Sequence, residues 1–454
     1  MEAPNDKNVG APSWLKREED SEMSRHKAVL FIIDGCRSDY LDQTRIDTIG
    51  RMMDEGTTVE DCRTTFPSMT HPAHTSIVTG LYPSNHGIVS HDYYDRGCRR
   101  LGTFLTYNKF RGKSVAELVK SVGGTVVSVD EFTCLGRGAD LYVNVPIHDV
   151  QEVTYQAIDA ISRKNPDLLL VTYFASDDTG SGHGPQSEEL KACIKEIDKN
   201  VGTILNKAQE TWRDKELLFV LSSDHGMVET GEPLFAKLRQ AMGKSAENPV
   251  LLSEGLYAQL YVEGDARNAA LEVAEVAELK GLDVILEKEE LKALNCFDEL
   301  IGDVVMACRE GFNLIEEGKQ VPPGLHGSLV EECMKVPLII WGSGVAKRTI
   351  AFTIARFMGL EYPNFDGRPL MEAFNDKEKA KFDEKSRVIE SLAQKYHQKI
   401  GLIRQMSELK KERAEGRLTQ GEFEESLWRL RDSLNATESE YERIKMSLEI
   451  SLYT

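Results

Sequence analysis

Long apolar runs are missing from this chain, and so is any excess of basic charge. No stretch approaches the ~18 consecutive apolar residues of a membrane-spanning helix. The N-terminal segment MEAPNDKNVGAPSWLKREEDSEMSRHK has no apolar core of the kind that marks a secretory leader. The expectation is therefore a cytoplasmic protein with no membrane partner. Lys and Arg number 55 against 74 Asp and Glu, a formal net charge of −19. That excludes binding of a nucleic-acid polymer as the main business, because phosphate backbones need basic surface. It leaves room for a small phosphorylated substrate held by metal in a local pocket. The eight cysteines are scattered without a CxxC pair, which fits reduced thiols in a cytosolic chain better than a disulfide framework. Cys36 lies near a candidate site and reads as a small buried residue.

What the sequence does have is a series of short apolar runs, each stopping at polar or small residues. They are AVLFII before Asp34, TVVSV before Asp130, LLLVTYF before Ala175, LLFVLS before Ser223 and VPLIIW before Gly342. Unbroken apolar character suggests strands covered on both faces, as in a parallel sheet. Helix-like segments such as SEELKACIKEIDKNVGTILNKAQ (187–209) lie between them. The pattern predicts an α/β fold with a large, mostly parallel central sheet flanked by helices. Functional groups collect at the carboxyl ends of the strands of such sheets, and Asp34, Asp177 and Asp224 all fall at that edge.

The chain divides by texture. Residues 1–26 read as a flexible tail, 27–245 as the first part of the core and 321–374 as its closing part. Residues 246–320 read as a small α/β insertion that caps the site, with GLYAQLYVEG and DVILEK as strands and ARNAALEVAEVAELKG as a helix. Residues 375–454 read as an antiparallel helical hairpin. Phe423, Leu427, Leu430, Leu434, Thr437, Tyr441, Ile444 and Leu448 repeat with coiled-coil spacing, facing Ile389, Leu392, Tyr396, Ile403 and Met406. Thr419 and Glu422 form a capping box that opens the second helix. The expected role of this hairpin is structural, or assembly of a homo-oligomer.

Four further motifs carry chemistry-bearing residues: FIIDGCRSD, TTFPSMTHPAHTSIVTGLYPSNHGI, VLSSDHGM and GLHGSLVEECMKVPLIIWG. Each alone is compatible with an ordinary cap or turn. Together they bring carboxylates and imidazoles to one edge, where they would repel unless a cation intervened, and mixed Asp/His sets suit zinc or manganese. The combination and order of these motifs resemble the alkaline phosphatase superfamily, in its type I phosphodiesterase/nucleotide pyrophosphatase branch, with phosphonoacetate hydrolase nearby. The resemblance runs over about 27–372, including TIARFMGLEYPNFDGRPL, and covers neither the tail nor the hairpin.

The resemblance implies two divalent metal ions, zinc first and manganese as the alternative, and Thr70 as a nucleophile ten residues before Gly80. One ion would be held by Asp34, Thr70, Asp224 and His225, the other by Asp177, His326 and an imidazole from the SDDTGSGHGP stretch. Thr64, Thr65, Ser68 and Thr75 are read as loop or cap hydroxyls. His71 and His74 are not expected to be ligands, His74 being structural. His91 stands where the family has a phosphate-binding asparagine, and an imidazole can donate in its place. The family pattern D-x-x-G-H-x-x-G-P places Asp177, Gly180, Gly184 and Pro185 in register but puts Ser181 where the histidine belongs. The expectation is that His183 swings in from a glycine-flexed loop, with Ser181 facing the site as the competing outcome. The implied function is hydrolysis of phosphodiester, nucleotide pyrophosphate or phosphonate substrates. The alternatives are a phosphomonoesterase or mutase of the same superfamily, or a metal-depleted binding module that assembles through its hairpin.

Overall fold

A computed structural model describes residues 26–44, 46–59, 61–104, 109–242, 249–262, 280–342 and 382–453. Chain hydrophobicity builds one seven-stranded sheet through these residues. Its centre is β1 (His26–Ile33), flanked on one side by β2 (Leu168–Tyr173) and on the other by β3 (Glu216–Ser222). Both neighbours run parallel to β1, with Phe31 level with Val171 and Leu221. Val126–Val129 and Leu141–Val143 extend the sheet beyond β2, also in parallel. Leu338–Gly342 pairs with β3 antiparallel and carries the short edge strand Thr57–Thr58. An unbroken apolar run therefore marked this strand as buried without fixing its direction.

Side chains alternate across β1. Val29, Phe31 and Ile33 join one buried cluster with Ile194, Ile197, Val201 and Ile204 of the helix Glu188–Thr211. Ala28, Leu30 and Ile32 join a second cluster with Val78, Val115 and Val119 on the other face. Both faces of the central strand are thus dry, which is why its sequence shows no polar alternation. Ser187 caps the long helix by accepting the amide of Leu190.

The insertion forms a four-stranded antiparallel sheet. Its order is β4 (Val250–Glu254), β5 (Tyr257–Tyr261), Val304–Cys308, then Leu282–Leu286. The helix expected from ARNAALEVAEVAELKG, the closing segment TIARFMGLEYPNFDGRPL and nearly all of the N-terminal tail lie outside the described residues.

The C-terminal helices Phe382–Ala414 and Gln420–Tyr453 pair as a hairpin. Thr419 and Glu422 exchange backbone amides at the start of the second helix, which is the capping box read in the sequence. The seam does not face outward. Ile403, Met406, Phe423, Leu427 and Leu434 are buried in one cluster with Tyr257, Val284 and Leu286 of the insertion. Lys410 and Lys411 donate to the carbonyls of Ile285 and Leu282, fixing the first helix to the end of that sheet. Much of the apolar stripe read in the sequence is thus covered within this chain. Phe423→Ala should accordingly lower the unfolding free energy by about 3–5 kcal/mol, the range for a buried phenylalanine. Urea denaturation followed by circular dichroism measures it, and a loss below about 1 kcal/mol would mean that the seam is not packed on the insertion.

Candidate metal centre

Three neighbouring strands end in the three carboxylates of the site. Adjacent strands lie about 4.8 Å apart, so residues just past the ends of β3, β1 and β2 converge without any special loop. Asp34 follows β1 and donates its amide to Tyr173 O at the end of β2, 3.0 Å away. Asp224 follows β3 and accepts the amide of Gly35 at 3.1 Å. Asp177 lies in the first turn of α1 (Ala175–His183), the helix that leaves β2. Gly35 makes this approach possible. Its φ is +68°, and a Cβ there would stand 2.9 Å from Asp177 Oδ1 and 3.0 Å from its Cα.

Two imidazoles complete the groups. His225 and His326 stack with ring centroids 3.6 Å apart, brought together by the short pairing of Val228 with Leu325. Nδ1 of His225 donates to Gly226 O at 3.0 Å, and Nδ1 of His326 donates to Ser68 O at 3.0 Å. Each ring therefore presents the Nε2 lone pair to the site, the arrangement that backbone carbonyls impose on metal-binding histidines. His225 Nε2 lies 3.2 Å from Asp224 Oδ2, 3.5 Å from Asp34 Oδ1 and 3.2 Å from Thr70 Oγ1. Since that nitrogen carries the lone pair, the Thr70 hydroxyl is the donor. Thr70 begins the helix Thr70–Thr79, so its side chain sits at the positive end of a helix dipole.

The residues form two compact sets of ligand atoms: Asp34, His74 and Asp224 in one, Asp177, His225 and His326 in the other. Within these sets Asp34 Oδ1, Asp224 Oδ2, Asp177 Oδ1 and His74 Nε2 are buried and make no hydrogen bond. Buried polar atoms are almost always satisfied. Four unsatisfied ones converging on two points fit a pair of divalent cations. Electrostatics agree. Burial and the adjacent Asp224 push the Asp34 carboxyl well above its ordinary range, and burial raises Asp177 to about 6. Burial opposes ionisation of Asp224 too, but the hydrogen bond and charge of His74 and the amide of Gly35 hold that carboxyl low. Burial lowers His225 to about 4 and also lowers His326, which keeps both imidazoles neutral and able to ligate.

Several expectations change here. His74 was read as structural and apart from the ligands. Its Nε2 lies 3.5 Å from both Asp34 Oδ2 and Asp224 Oδ2, while Nδ1 bonds Glu131 at 2.7 Å. Burial disfavours its charge, yet the carboxylates, Glu131 foremost, hold its pKa well above the ordinary histidine value. The signal available in the sequence was spacing: His74 follows Thr70 by four residues, one helical turn on the same face. His183 is the clearer correction. The stretch SDDTGSGHGP is not a flexible loop; its first eight residues finish α1, and His183 is exposed at its last position, outside both groups. Six residues of α-helix turn it about 240° from Asp177. Ser181, four residues on and half-buried, shares the face of Asp177. Gly180 packs where a Cβ would come within 2.8 Å of Met227 Sδ, and only Gly184 of the three glycines takes a positive φ, ending the helix.

Among the rival hydroxyls, Ser68 donates to Ser328 O and Thr75 to His71 O. Thr64 and Thr65 are half-buried, Thr65 Oγ1 making no hydrogen bond. The Cys36 thiol is fully buried and pushed far up by desolvation, a packing residue. His91 is half-buried beside His71, the residue after Thr70, its Nε2 3.5 Å from the His71 amide and its ring 5.0 Å from that of His71.

Comparison with known proteins shows the family to which the chain belongs. The family model described as type I phosphodiesterase / nucleotide pyrophosphatase matches residues 28–121 and 143–329. A bis(5'-adenosyl)-triphosphatase from Xenopus laevis is 27% identical over 271 residues, 56% of this chain and 58% of the relative. Ectonucleotide pyrophosphatase/phosphodiesterase family member 1 of Mus musculus is 26% identical over 238 residues, 49% of this chain and 26% of the relative. The match thus spans little more than half of the first relative and about a quarter of the second. Human ectonucleotide pyrophosphatase / phosphodiesterase 5 shares the fold with a TM-score of 0.65 at 20% identity, over 76% of this chain and 97% of that one. Phosphonoacetate hydrolase from Sinorhizobium meliloti, solved with phosphonoformate, gives a TM-score of 0.57 at 19% identity, over 70% and 90%.

Gly35→Ala tests the convergence itself. A left-handed alanine costs about 1–3 kcal/mol, and its methyl would displace Asp177. Lower stability in urea together with weaker zinc binding by calorimetry is the expected result. Wild-type values for both would show that the Asp34–Asp177 approach does not depend on this glycine.

Proposed function

The chain belongs to the type I phosphodiesterase/nucleotide pyrophosphatase family, and from that premise we propose that it is a metal-dependent hydrolase of phosphodiester or pyrophosphate bonds in nucleotide-like substrates, with Thr70 as nucleophile. The observation that supports this most is the Thr70 hydroxyl donating to His225 beside the four buried ligand atoms without hydrogen bonds. Asp34, Asp224 and His225, with Thr70 alongside, would hold one cation; Asp177 and His326 would hold the other. Zinc suits this donor set best, with manganese the alternative, and such ions supply Lewis acidity that offsets phosphoryl charge and lowers the pKa of a hydroxyl.

The protein's own groups do the rest. Thr70 Oγ1 attacks phosphorus as the bond to the leaving oxygen breaks in line, and its proton passes to water, because the Nε2 lone pair of His225 would be taken up by the cation. Water then cleaves the phosphothreonine ester, returning a proton to Thr70. His91 replaces the family's asparagine as a donor to a phosphoryl oxygen. Half-buried rings of His71, Phe132 and Phe174 stand beside the site, His71 and Phe132 with centroids 4.5 Å apart. Flat apolar faces next to an anion site favour a substrate that carries a base, and so a nucleotide over a phosphonate. Two relatives support the same direction: the murine phosphodiesterase 5 was solved with AMP as an inactive threonine-to-alanine variant, and the Xenopus relative is named for a bis(5'-adenosyl) triphosphate. A cytoplasmic location remains part of the reading, all eight cysteines being free thiols.

Thr70→Ala should lower turnover of bis-p-nitrophenyl phosphate by about 1,000-fold or more while leaving the unfolding transition in place. Near-wild-type turnover would remove Thr70 from the chemistry. The wild type should also prefer this diester, and p-nitrophenyl nucleoside monophosphate esters, over p-nitrophenyl phosphate and phosphonoacetate; the opposite order would favour the phosphomonoesterase alternative.

The metal sites carry their own test. Zinc titration by calorimetry and elemental analysis should show two ions of unequal affinity, because one set has two carboxylates and the other a single carboxylate with Ser181 in the place of an imidazole. Ser181→His should tighten the weaker site. Absence of bound metal in the wild type would support a metal-depleted binding module instead.

A further inference from the structure

Among the described residues, the turn between β4 and β5 carries the insertion to the site, and it begins at a carboxylate. Glu254 closes β4 opposite Tyr257. Its Oε2 accepts the backbone amide of His91 at 2.9 Å. Its Oε1 accepts the Ser90 hydroxyl, the amide of Asp92 at 3.4 Å and the side-chain amide of Gln259 at 3.0 Å. One carboxylate therefore holds three consecutive residues, with His91 in the middle. Gln259 of β5 tightens the same grip, donating to Ser90 Oγ at 2.8 Å and to Asp92 O at 3.0 Å. Its own oxygen accepts Gly302 N at 3.1 Å and Tyr261 Oη at 3.0 Å, so the amide cannot rotate freely.

The same turn touches the opposite wall of the site. A Cβ on Gly255 would sit 3.2 Å from Leu325 and 3.8 Å from His326 O. One on Gly327 would sit 3.2 Å from Tyr257, 3.5 Å from Met69 and 3.8 Å from Glu254 O. The turn thus wedges between the His91 segment and the segment carrying His326, next to the residue that precedes Thr70. Burial raises the Glu254 carboxyl to about 7, against the hydrogen bonds from Ser90 and His91 that favour its charged form. A carboxylate kept in so unfavourable a place needs a reason beyond closing a surface turn.

We propose that Glu254, from the insertion, is the positioning residue for His91, fixing the backbone at 90–92 so that the imidazole stands beside Thr70. Glu254 touches neither the nucleophile nor any ligand atom; it acts through His91. The chemical role of His91 rests on the hydrolase reading above, whereas the hold on its backbone does not. Lengthening the His91 amide bond lets the ring drift, and a displacement of about 1 Å at a positioned group can cost about 100-fold in rate.

The test combines kinetics with a signal that needs no chemistry. Glu254→Ala should lower kcat for bis-p-nitrophenyl phosphate about 10- to 100-fold with bound zinc unchanged. Glu254→Gln keeps an oxygen for the His91 amide, while its amide nitrogen would face the donors Asp92 N and Gln259 Nε2, so its loss should be smaller than that of Glu254→Ala. Glu254→Ala combined with His91→Ala should be no slower than His91→Ala alone, since one residue works through the other. In parallel, the His91 ring resonance should shift or broaden in Glu254→Ala and move less in Glu254→Gln. With ten histidines in the chain, His91→Gln identifies that resonance. Additive losses in the double variant, or an unmoved His91 resonance in Glu254→Ala, would overturn the assignment. If the metal-loaded wild type hydrolyses nothing, the hydrolase reading falls, and the ring resonance alone decides whether Glu254 positions His91.

Discussion

Repulsion between carboxylates gathered at the end of the central strands is the constraint around which the molecule is arranged. The ligand atoms of Asp34 and Asp224 lie within 4.8 Å of each other. Two full charges at that separation repel by about 3–4 kcal/mol at an effective dielectric constant near 20, and Asp177 adds to it. Against a net stability of about 5–15 kcal/mol for a whole domain, this is too large to leave unopposed. The protein opposes it in part with His74, whose pKa the carboxylates raise and which Glu131, satisfied in turn by Thr133 and Thr172, balances. That network leaves buried oxygens on all three aspartates without hydrogen bonds. A cation would remove both defects at once. Fold and cofactor requirement are two sides of the same geometry.

The periphery serves that centre more directly than its position in the sequence suggests. The hairpin buries its seam on the insertion sheet, and the insertion sends Glu254 to the backbone of His91. Lys410, fully buried, anchors this chain of contacts by donating to Ile285 O and pairing with Glu287. An ion pair of this kind is weak evidence for stability on its own, because desolvation opposes it. Its use is in register. Lys410 and Arg431 both reach Glu287 from different helices, so the hairpin can dock on the sheet in one alignment. Losing the hairpin would therefore loosen the cap and the His91 segment while leaving the three aspartates in place on their strands.

Most of the core was legible because it obeys local rules. Apolar runs ending in Asp34, Ala175 and Ser223 became neighbouring strands, and strand ends put the carboxylates together. Thr70, His225 and His326 were legible because each sits in a short, ordered motif. What escaped depends on tertiary contact or on a misread period. Leu338–Gly342 runs antiparallel, since burial on both faces says nothing of direction. The hairpin stripe was read as structural or as an interface between chains, and the sequence did not say that much of it meets the insertion sheet. Glu254 had no signal at all: an acid in a strand-turn segment is ordinary until Ser90, His91 and Asp92 are found around it. Glycine density was read as flexibility around residue 180, yet Gly180 is there for close packing against Met227 and Gly324, inside a regular helix.

That last misreading decides how the proposed second metal position would work. A helix fixes what a loop leaves open. With Asp177 in its first turn, the residue one turn later is Ser181, and no rotation of side chains brings His183 around the helix axis. The position is therefore left with Asp177 and His326, plus whatever His225 contributes while it also faces Asp34 and Asp224. Catalytic zinc commonly has three protein ligands and one open place. A serine hydroxyl is a weak donor beside an imidazole, so here the open region is wider, and oxygens of an anionic substrate become a larger share of the coordination. Ion and substrate binding would then be coupled: each raises the affinity for the other by the same factor, as linkage requires. In a chain carrying a net charge of −19, such coupling lets an anion approach the site only where the cation has already been assembled to meet it.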